Sequence, residues 1–207
     1  MTRRSGPLLP CRNTAAKLAA VSILAFAVAS PAFAHEGAGV AGGFSSGFMH
    51  PLLGWDHIAA MVAVGIWGAF LGLPAIWALP VVFPIVMAFG GALGILGVPL
   101  PGVEIGIALS AIVLGLMVAL AARPPIWVAA FVVAAFAIFH GHAHGTELPA
   151  AADGVAFAGG FVLATGLLHL TGIALGLLTK WDVGRIAIRA LGGGIAMAGV
   201  AFLTGVA

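Results

Sequence analysis

The chain has 207 residues, of which 62% are hydrophobic and only 7% charged, and its formal net charge is +2. Soluble domains carry roughly 25% charged residues, so a chain with a mean hydropathy of +1.21 cannot cover a water-facing surface. The composition excludes a soluble protein and predicts an all-α integral membrane protein.

The first predicted element is a cleavable secretory signal peptide over residues 1–34. Four basic residues precede an apolar run at 18–29, and the small residues Ala32 and Ala34 form a site that signal peptidase reads. An uncleaved first span is the alternative, but the run has about 12 residues where a bilayer needs roughly 20. Cleavage after Ala34 leaves four basic and six acidic residues, and this formal charge of −2 excludes nucleic acid as a partner.

Six apolar stretches follow, and they predict a single six-helix transmembrane domain over residues 35–207 in a lipid bilayer. Prolines stand at the short joints between them, so that consecutive helices are expected to be antiparallel neighbours in one bundle. The predicted spans are 52–71, 75–96, 103–122, 125–140, 155–178 and 186–206, and the fourth is the shortest. Close helix packing is predicted for the glycine pairs Gly68–Gly72, Gly90–Gly94, Gly102–Gly106 and Gly172–Gly176.

The charge pattern predicts how the bundle is oriented. A cleaved signal places the mature N-terminus outside the cytoplasm. For a protein of the bacterial inner membrane, this side is the periplasm. On that topology all basic residues of the mature chain fall at the cytoplasmic side, as the positive-inside rule requires; they are Arg123, Lys180, Arg185 and Arg189. Two histidine-rich blocks then lie at the outer side, which is the arrangement expected of an importer.

The first block, His50-Pro-Leu-Leu-Gly-Trp-Asp56-His57, opens the first predicted span. Ionisable groups are costly inside a bilayer, and neutral imidazole together with carboxylate suits a divalent first-row transition metal. In a regular helix His50 and His57 would lie about 10 Å apart along the axis, too far to share an ion. They converge only if the backbone between them is irregular, which Gly54 permits. Otherwise each would belong to a separate binding position, or station, that the ion occupies in turn.

The second block, His140-Gly-His142-Ala-His144-Gly-Thr-Glu147, follows the fourth predicted span. An extended segment would point all three imidazoles one way, whereas a helix would pair His140 with His144 at i,i+4. Together with the carboxylate of Glu147, either geometry predicts a metal-capturing site. The alternative is a solvated outer loop that happens to be rich in histidine.

Three further residues are weaker candidates for binding the metal ion. Cleavage after Ala34 would leave His35 first, where its free amine and imidazole can chelate a divalent ion; the alternative is a mobile tail. Glu104 begins the third span and is either a metal ligand or an interfacial group. His169, midway along the fifth span, is either a deeper station or, as we favour, a histidine hydrogen-bonded to a neighbouring carbonyl.

The two blocks resemble those of the HupE/UreJ family of membrane proteins, which are accessories to nickel hydrogenases and ureases. The family pattern is a cleaved signal, six spans, an H-P-x-x-G-x-D-H block at the first span and an F-H-x-x-A-H-G-x-E block after the fourth. Both blocks match here, the second from Phe139, and the resemblance covers the whole mature chain. It implies a nickel, or in some cases cobalt, permease, with metal-handling roles for His50, Asp56, His57, His144 and Glu147.

The resulting prediction is a secondary permease, not an enzyme, that imports Ni²⁺ or Co²⁺ as its substrate and holds no prosthetic group. A membrane protein that binds and relays metal without transporting it is the main alternative. A membrane metalloenzyme is less favoured, because the sequence has neither an H-x-x-H-H group nor an H-E-x-x-H motif. Ligand type alone does not rank Ni²⁺, Co²⁺ and Zn²⁺, and the oligomeric state, including a homo-oligomer, stays open.

Overall fold

The computed structural model describes residues 43–148 and 153–206. Within these two ranges the chain forms seven α-helices and one short 3-10 helix, and no strand. The all-helical fold class is therefore confirmed for the described part of the chain. The predicted signal peptide, residues 1–34, and the candidate ligand His35 lie outside the described residues.

The helices occur where the sequence predicted apolar spans, with one additional helix in front of them. The 3-10 helix, Leu177–Lys180, joins the last two. In chain order the helices are α1 (Phe44–Leu53), α2 (Trp55–Leu71), α3 (Ala75–Ile95), α4 (Val103–Ala119), α5 (Ile126–Glu147), α6 (Gly154–Gly176) and α7 (Asp182–Thr204).

The lengths and surfaces of these helices indicate a multi-pass membrane protein. Four of them, α3, α5, α6 with the 3-10 turn, and α7, are long and apolar enough to cross a bilayer. The bent pair α1 and α2 makes a fifth if it is one span, and α4, with 17 residues, is shorter. Large apolar side chains such as Ile85, Phe89 and Phe131 are exposed on the outside of the bundle, where lipid would cover them. The number of six spans stays a prediction.

The first predicted span, 52–71, is interrupted at Gly54, where the additional helix α1 ends and α2 begins; the axes of these two helices differ by 85°. Gly54 is extended, with φ −94° and ψ 114°. A Cβ at this position would lie only 2.7 Å from Asp56 Oδ1, so glycine leaves room for that carboxylate. The irregular backbone that His50 and His57 need in order to converge is therefore present.

The fourth predicted span is longer than expected, and its predicted end at His140 is wrong. α5 continues for two turns to Glu147 and has 22 residues, which excludes the extended alternative for the second block. Gly141 and Gly145 do not end the helix, because they face the backbone of α3. An added Cβ would lie 2.0 Å from a carbonyl oxygen of α3 at Gly141 and 2.1 Å from one at Gly145. This close packing offsets the weak helical preference of glycine.

Three close helix pairs build the bundle: α3 with α5, α4 with α7, and α2 with α6. The glycine pairs that begin at Gly90 and Gly172 lie at such contacts, facing the backbones of α5 and α2. Gly72 and Gly102 instead have φ values of 75° and 72° at helix ends, so the packing prediction is wrong for these two glycines. The close approach of the backbones brings side chains from different helices within reach of one another.

Candidate metal centre

Four histidines from three helices converge at one end of the bundle, which we call the histidine end. His50 comes from α1, His57 from α2, and His140 and His144 from α5. The two histidines of α5 share a face because they are four residues apart, and the bend at Gly54 lets both His50 and His57 contact His144. We call the contacting row the histidine chain; from its surface end to its buried end it consists of Glu147, His50, His144, His57, His140 and Ser110.

The surface end of the histidine chain has the geometry of a metal site. His50 Nε2 lies 2.9 Å from His144 Nδ1 and 3.6 Å from Glu147 Oε2. These three side chains offer ligand atoms within 4.8 Å of one another, and no other group of His, Cys, Asp or Glu does so within the described ranges. An ion with bonds near 2 Å holds neighbouring ligands about 3 Å apart, so the separations are close to those of a bound divalent transition metal.

The buried end continues the row of ring nitrogens without a gap. His144 Nε2 lies 2.5 Å from His57 Nε2, which in turn lies 3.1 Å from His140 Nδ1. The other nitrogen of His140, Nε2, is 2.8 Å from Ser110 Oγ on α4. The contacts therefore form one path from the carboxylate of Glu147 to the interior of the bundle.

Hydrogen bonds on both sides of this path determine which nitrogens can bind a metal. Asp56 Oδ1 accepts from the backbone N–H of His57 at 2.8 Å and from its Nδ1–H at 3.1 Å, which leaves His57 Nε2 without a proton. Ser110 donates its hydroxyl to Ile107 O at 2.6 Å. Its oxygen then accepts from His140 Nε2–H, so that His140 Nδ1 also carries a free lone pair.

Two unprotonated nitrogens, His57 Nε2 and His140 Nδ1, thus face each other at 3.1 Å, with His144 Nε2 beside them. Facing lone pairs repel each other unless a proton or a metal cation lies against them. Because the low dielectric of a protein interior strengthens such interactions, a cation would be stabilised here more than in water. The arrangement is suited to binding a cation.

Burial increases along the histidine chain. At the surface end the side chain of His50 is 29% exposed and that of Glu147 is 36% exposed. At the other end His140 and Ser110 are completely buried. A hydrated ion can therefore reach the first ligands from solvent, and it exchanges water for imidazole as it moves inward.

Aromatic rings form the apolar wall of the site. The ring of Phe161 lies 4.5 Å from that of His144, and Phe157 lies 5.7 Å from His50, both measured between ring centroids. A crevice of about 220 Å³ between α3, α5 and α6 reaches His144 from the side. The wall makes the surroundings of His50 and His144 apolar on the side of α6.

Two predicted ligands lie away from the histidine chain. His142 points to another side of α5, where its Nε2–H donates to Val98 O at 2.7 Å and ties the α3–α4 loop to that helix. Glu104 is exposed in the first turn of α4, outside the group of converging ligand atoms. For His142 the physical reason is the helix itself, which turns every second residue away from the face that His140 and His144 share.

His169 also lies apart from the histidine chain. The favoured prediction, a hydrogen bond to a neighbouring carbonyl, is wrong, because neither ring nitrogen has a partner among the described residues. The ring is 1% exposed and lies edge-on to Phe83, with 5.5 Å between the centroids.

Sequence reasoning does not find Ser110, Phe157 or Phe161. A lone hydroxyl within an apolar span is the signal that could have pointed to Ser110. The phenylalanines give no comparable signal, because the chain has 13 of them and such rings are ordinary packing residues in a bundle.

Comparisons with known proteins agree with the pattern of the two blocks. A family model described as "HupE / UreJ protein" matches residues 23–202, which include every member of the histidine chain. The chain is similar to "Protein HupE" of Rhizobium leguminosarum bv. viciae, with 48% identity over 180 residues that cover 86% of this chain and 94% of that relative. No solved structure matches the chain.

Proposed function

Because the chain belongs to the HupE/UreJ family, we propose that it is a secondary permease that carries Ni²⁺, or Co²⁺, across a bacterial inner membrane into the cytoplasm. The imported ion would be inserted into a nickel hydrogenase or a urease during the maturation of that enzyme. In this proposal the histidine end faces the periplasm, because the four basic residues of the mature chain belong to the opposite end and favour the cytoplasmic surface.

The observation that carries the proposal is the continuity of the histidine chain. His144 presents one ring nitrogen to His50 and the other to His57, so a single ring belongs to two adjoining positions for an ion. An ion captured at the surface end therefore lies next to the ligand of the following step. Isolated metal sites need no such row of nitrogens, whereas a conduction path does.

The distribution of carboxylates favours release as well as capture. Glu147 is at the surface end, while Asp56 is engaged by His57 and orients that ring. Deeper positions therefore offer mainly neutral imidazole, which attracts a divalent ion less strongly than a site with a carboxylate. Conduction requires sites that bind an ion strongly enough to admit it and weakly enough to let it leave.

The ligand set limits the class of substrate. Imidazole suits nickel, cobalt, copper and zinc ions, whereas magnesium and calcium prefer oxygen ligands. Family membership is what favours Ni²⁺ and Co²⁺ over Zn²⁺ in the proposal, since the ligands alone do not rank them.

Uptake by the purified full-length protein in liposomes tests the proposal. Radioactive Ni²⁺ is supplied outside, with Co²⁺ or Zn²⁺ as competitor, and the wild type is compared with His144→Ala and with His142→Gln. Because His144→Ala removes the ring that joins both halves of the path, we expect a loss greater than the roughly 100-fold that a missing outer partner of a metal ligand costs. His142→Gln is the matched control, since glutamine can still donate to Val98 O.

Wild-type uptake no faster than in protein-free liposomes would contradict the permease. If Ni²⁺ binding still depended on His144, that result would favour a membrane protein that binds the ion and relays it to another component. Equal uptake by His144→Ala and His142→Gln would show that the ion does not pass along the histidine chain.

A further inference from the structure

A second buried polar patch lies on α6, where Thr165 and His169 are one helical turn apart. Thr165 is completely buried and His169 is 1% exposed. Within the described ranges, four buried side-chain nitrogen or oxygen atoms have no hydrogen-bond partner, and three of them belong to this pair: Thr165 Oγ1, His169 Nδ1 and His169 Nε2. We call the two residues the inner pair.

Thr165 differs from the other threonines of the bundle. The hydroxyls of Thr146, Thr171, Thr179 and Thr204 each donate to a backbone carbonyl three or four residues earlier. A helical threonine can make this bond wherever its hydroxyl has no other hydrogen-bond partner. Thr165 does not make it, and one helical turn later on the same helix is an imidazole that is also unpartnered. Two such groups at this spacing indicate a pair of polar side chains directed at a ligand.

The inner pair continues the direction of the histidine chain. The ring of Phe83 lies 5.7 Å from that of His140 and 5.5 Å from that of His169, so a single aromatic ring separates the two polar regions. His169 is eight residues beyond Phe161 on α6, which is about 12 Å further along the helix axis toward the basic end. The inner pair therefore lies deeper in the bundle, on the way from the histidine end to the opposite surface.

The surroundings of His169 carry no competing charge. His169 borders a crevice of about 350 Å³ between α3 and α6, whose other lining residues are apolar or aromatic, such as Trp77, Pro80 and Leu170. Trp77 and Leu170 are also exposed on the outside of the bundle, so the crevice opens toward the lipid-facing surface. No lysine or arginine lines the crevice in the described part of the chain, so an anion would find no cationic partner there.

We propose that Thr165 and His169 form an inner station for the transported divalent metal ion, with the imidazole as its principal ligand and the hydroxyl and water completing the coordination. The inference rests on the proposed function, because it assigns the next stop of an ion that has left His140. A transition metal fits better than an alkali or alkaline-earth ion, since the imidazole nitrogen is the principal donor.

Metal binding to the full-length protein in lipid nanodiscs tests the inner station separately from the histidine chain. The background variant combines His57→Ala with His144→Ala, which leaves no two ring nitrogens of the histidine chain in contact. Residual Ni²⁺ binding is measured by equilibrium dialysis. We expect residual binding that disappears when His169→Leu is added and weakens about 10-fold with Thr165→Val. Thr171→Val, which removes an exposed hydroxyl six residues later on the same helix, is the matched control and should change nothing. His169→Gln replaces His169→Leu if the latter does not fold.

Residual binding that is the same with and without His169 would overturn the inner station, as would the absence of any residual binding in the background variant that lacks both His57 and His144. Liposome uptake by the wild type separates the two proposals. If the wild type takes up Ni²⁺ but residual binding does not depend on His169, the permease is supported and the inner station is excluded. If residual binding depends on His169 but the wild type shows no uptake, the inner station is supported and the permease is excluded.

Discussion

The histidine chain and the inner pair both place imidazoles inside an apolar bundle, but they differ in whether the ring nitrogens have hydrogen-bond partners. In the histidine chain, Asp56 and Ser110 hold the rings of His57 and His140, and the rings contact one another. In the inner pair, His169 and its neighbour have no hydrogen-bond partner among the described residues.

The two regions therefore depend on a bound ligand to different extents. A buried polar group without a partner costs about 1–3 kcal/mol, whereas a satisfied network costs little and fixes its members in place. The histidine chain is therefore a prearranged site, with tautomers set by its neighbours. The inner pair is a site that only a bound ion or water completes, and it is expected to bind more weakly.

Among the variants that test this difference between the two regions, Asp56→Asn should have the largest effect. The asparagine amide can donate to His57 Nδ1, which favours the tautomer with a proton on Nε2 and removes the lone pair that faces His140. We expect the affinity for Ni²⁺, measured in nanodiscs, to fall about 100-fold, the upper end of the loss for a changed partner of a metal ligand. Asp182→Asn is the control, because Asp182 is an exposed partner of Arg185 at the start of α7. Equal affinities in the two variants would contradict the assigned tautomer.

A smaller effect is expected from Ser110→Ala at the buried end of the histidine chain. His140 Nε2–H loses its acceptor at a completely buried position, so its orientation and tautomer are no longer fixed. We expect uptake to fall about 10-fold, while binding at the surface end stays intact. Ser45→Ala, which removes an exposed hydroxyl from α1, should leave uptake unchanged. If Ser110→Ala behaved like this control, the buried end would not be part of the path.

Gly54→Ala tests whether the bend between α1 and α2 keeps the surface end assembled. Alanine favours a continuous helix, and its Cβ would lie 2.7 Å from Asp56 Oδ1. Since alanine stabilises a helix by about 1 kcal/mol relative to glycine, we expect Ni²⁺ affinity to fall roughly fivefold. Gly193→Ala is the matched control, because a Cβ there meets nothing within 4 Å. An unchanged affinity in Gly54→Ala would show that the bend persists without glycine.

The smallest effect, and the one of opposite sign, is expected from His169→Leu in the metal-free protein. Replacing an unpartnered buried imidazole with an apolar side chain removes a desolvation cost, so the free energy of unfolding should rise by about 1 kcal/mol. Thermal unfolding in detergent, with Thr171→Val as reference, measures the change. A marked destabilisation would mean that His169 has a structural partner and that the inner pair, like the histidine chain, is satisfied without an ion.

Much of the bundle follows from the sequence because apolar helices in a membrane must satisfy their own backbone. The bounds of α3 and the start of α4 agree with the predicted spans, since both are marked by proline or glycine at the joints. The end of α5 could not be predicted from its own residues. Gly141 and Gly145 favour an early end locally, and only their contact with α3 keeps the chain helical as far as Glu147.

Composition and pattern were enough to predict the class of protein, the approximate positions of the six apolar stretches and the two blocks that carry imidazole and carboxylate. The packing of the helices was needed to show that His142 lies outside the site, that Ser110 belongs to it, and that Thr165 and His169 are buried without hydrogen-bond partners. The physical reason is that helical periodicity assigns residues to faces of a single helix. Which faces meet depends on how closely the helices pack against one another, and this is set by contacts between residues far apart in the chain.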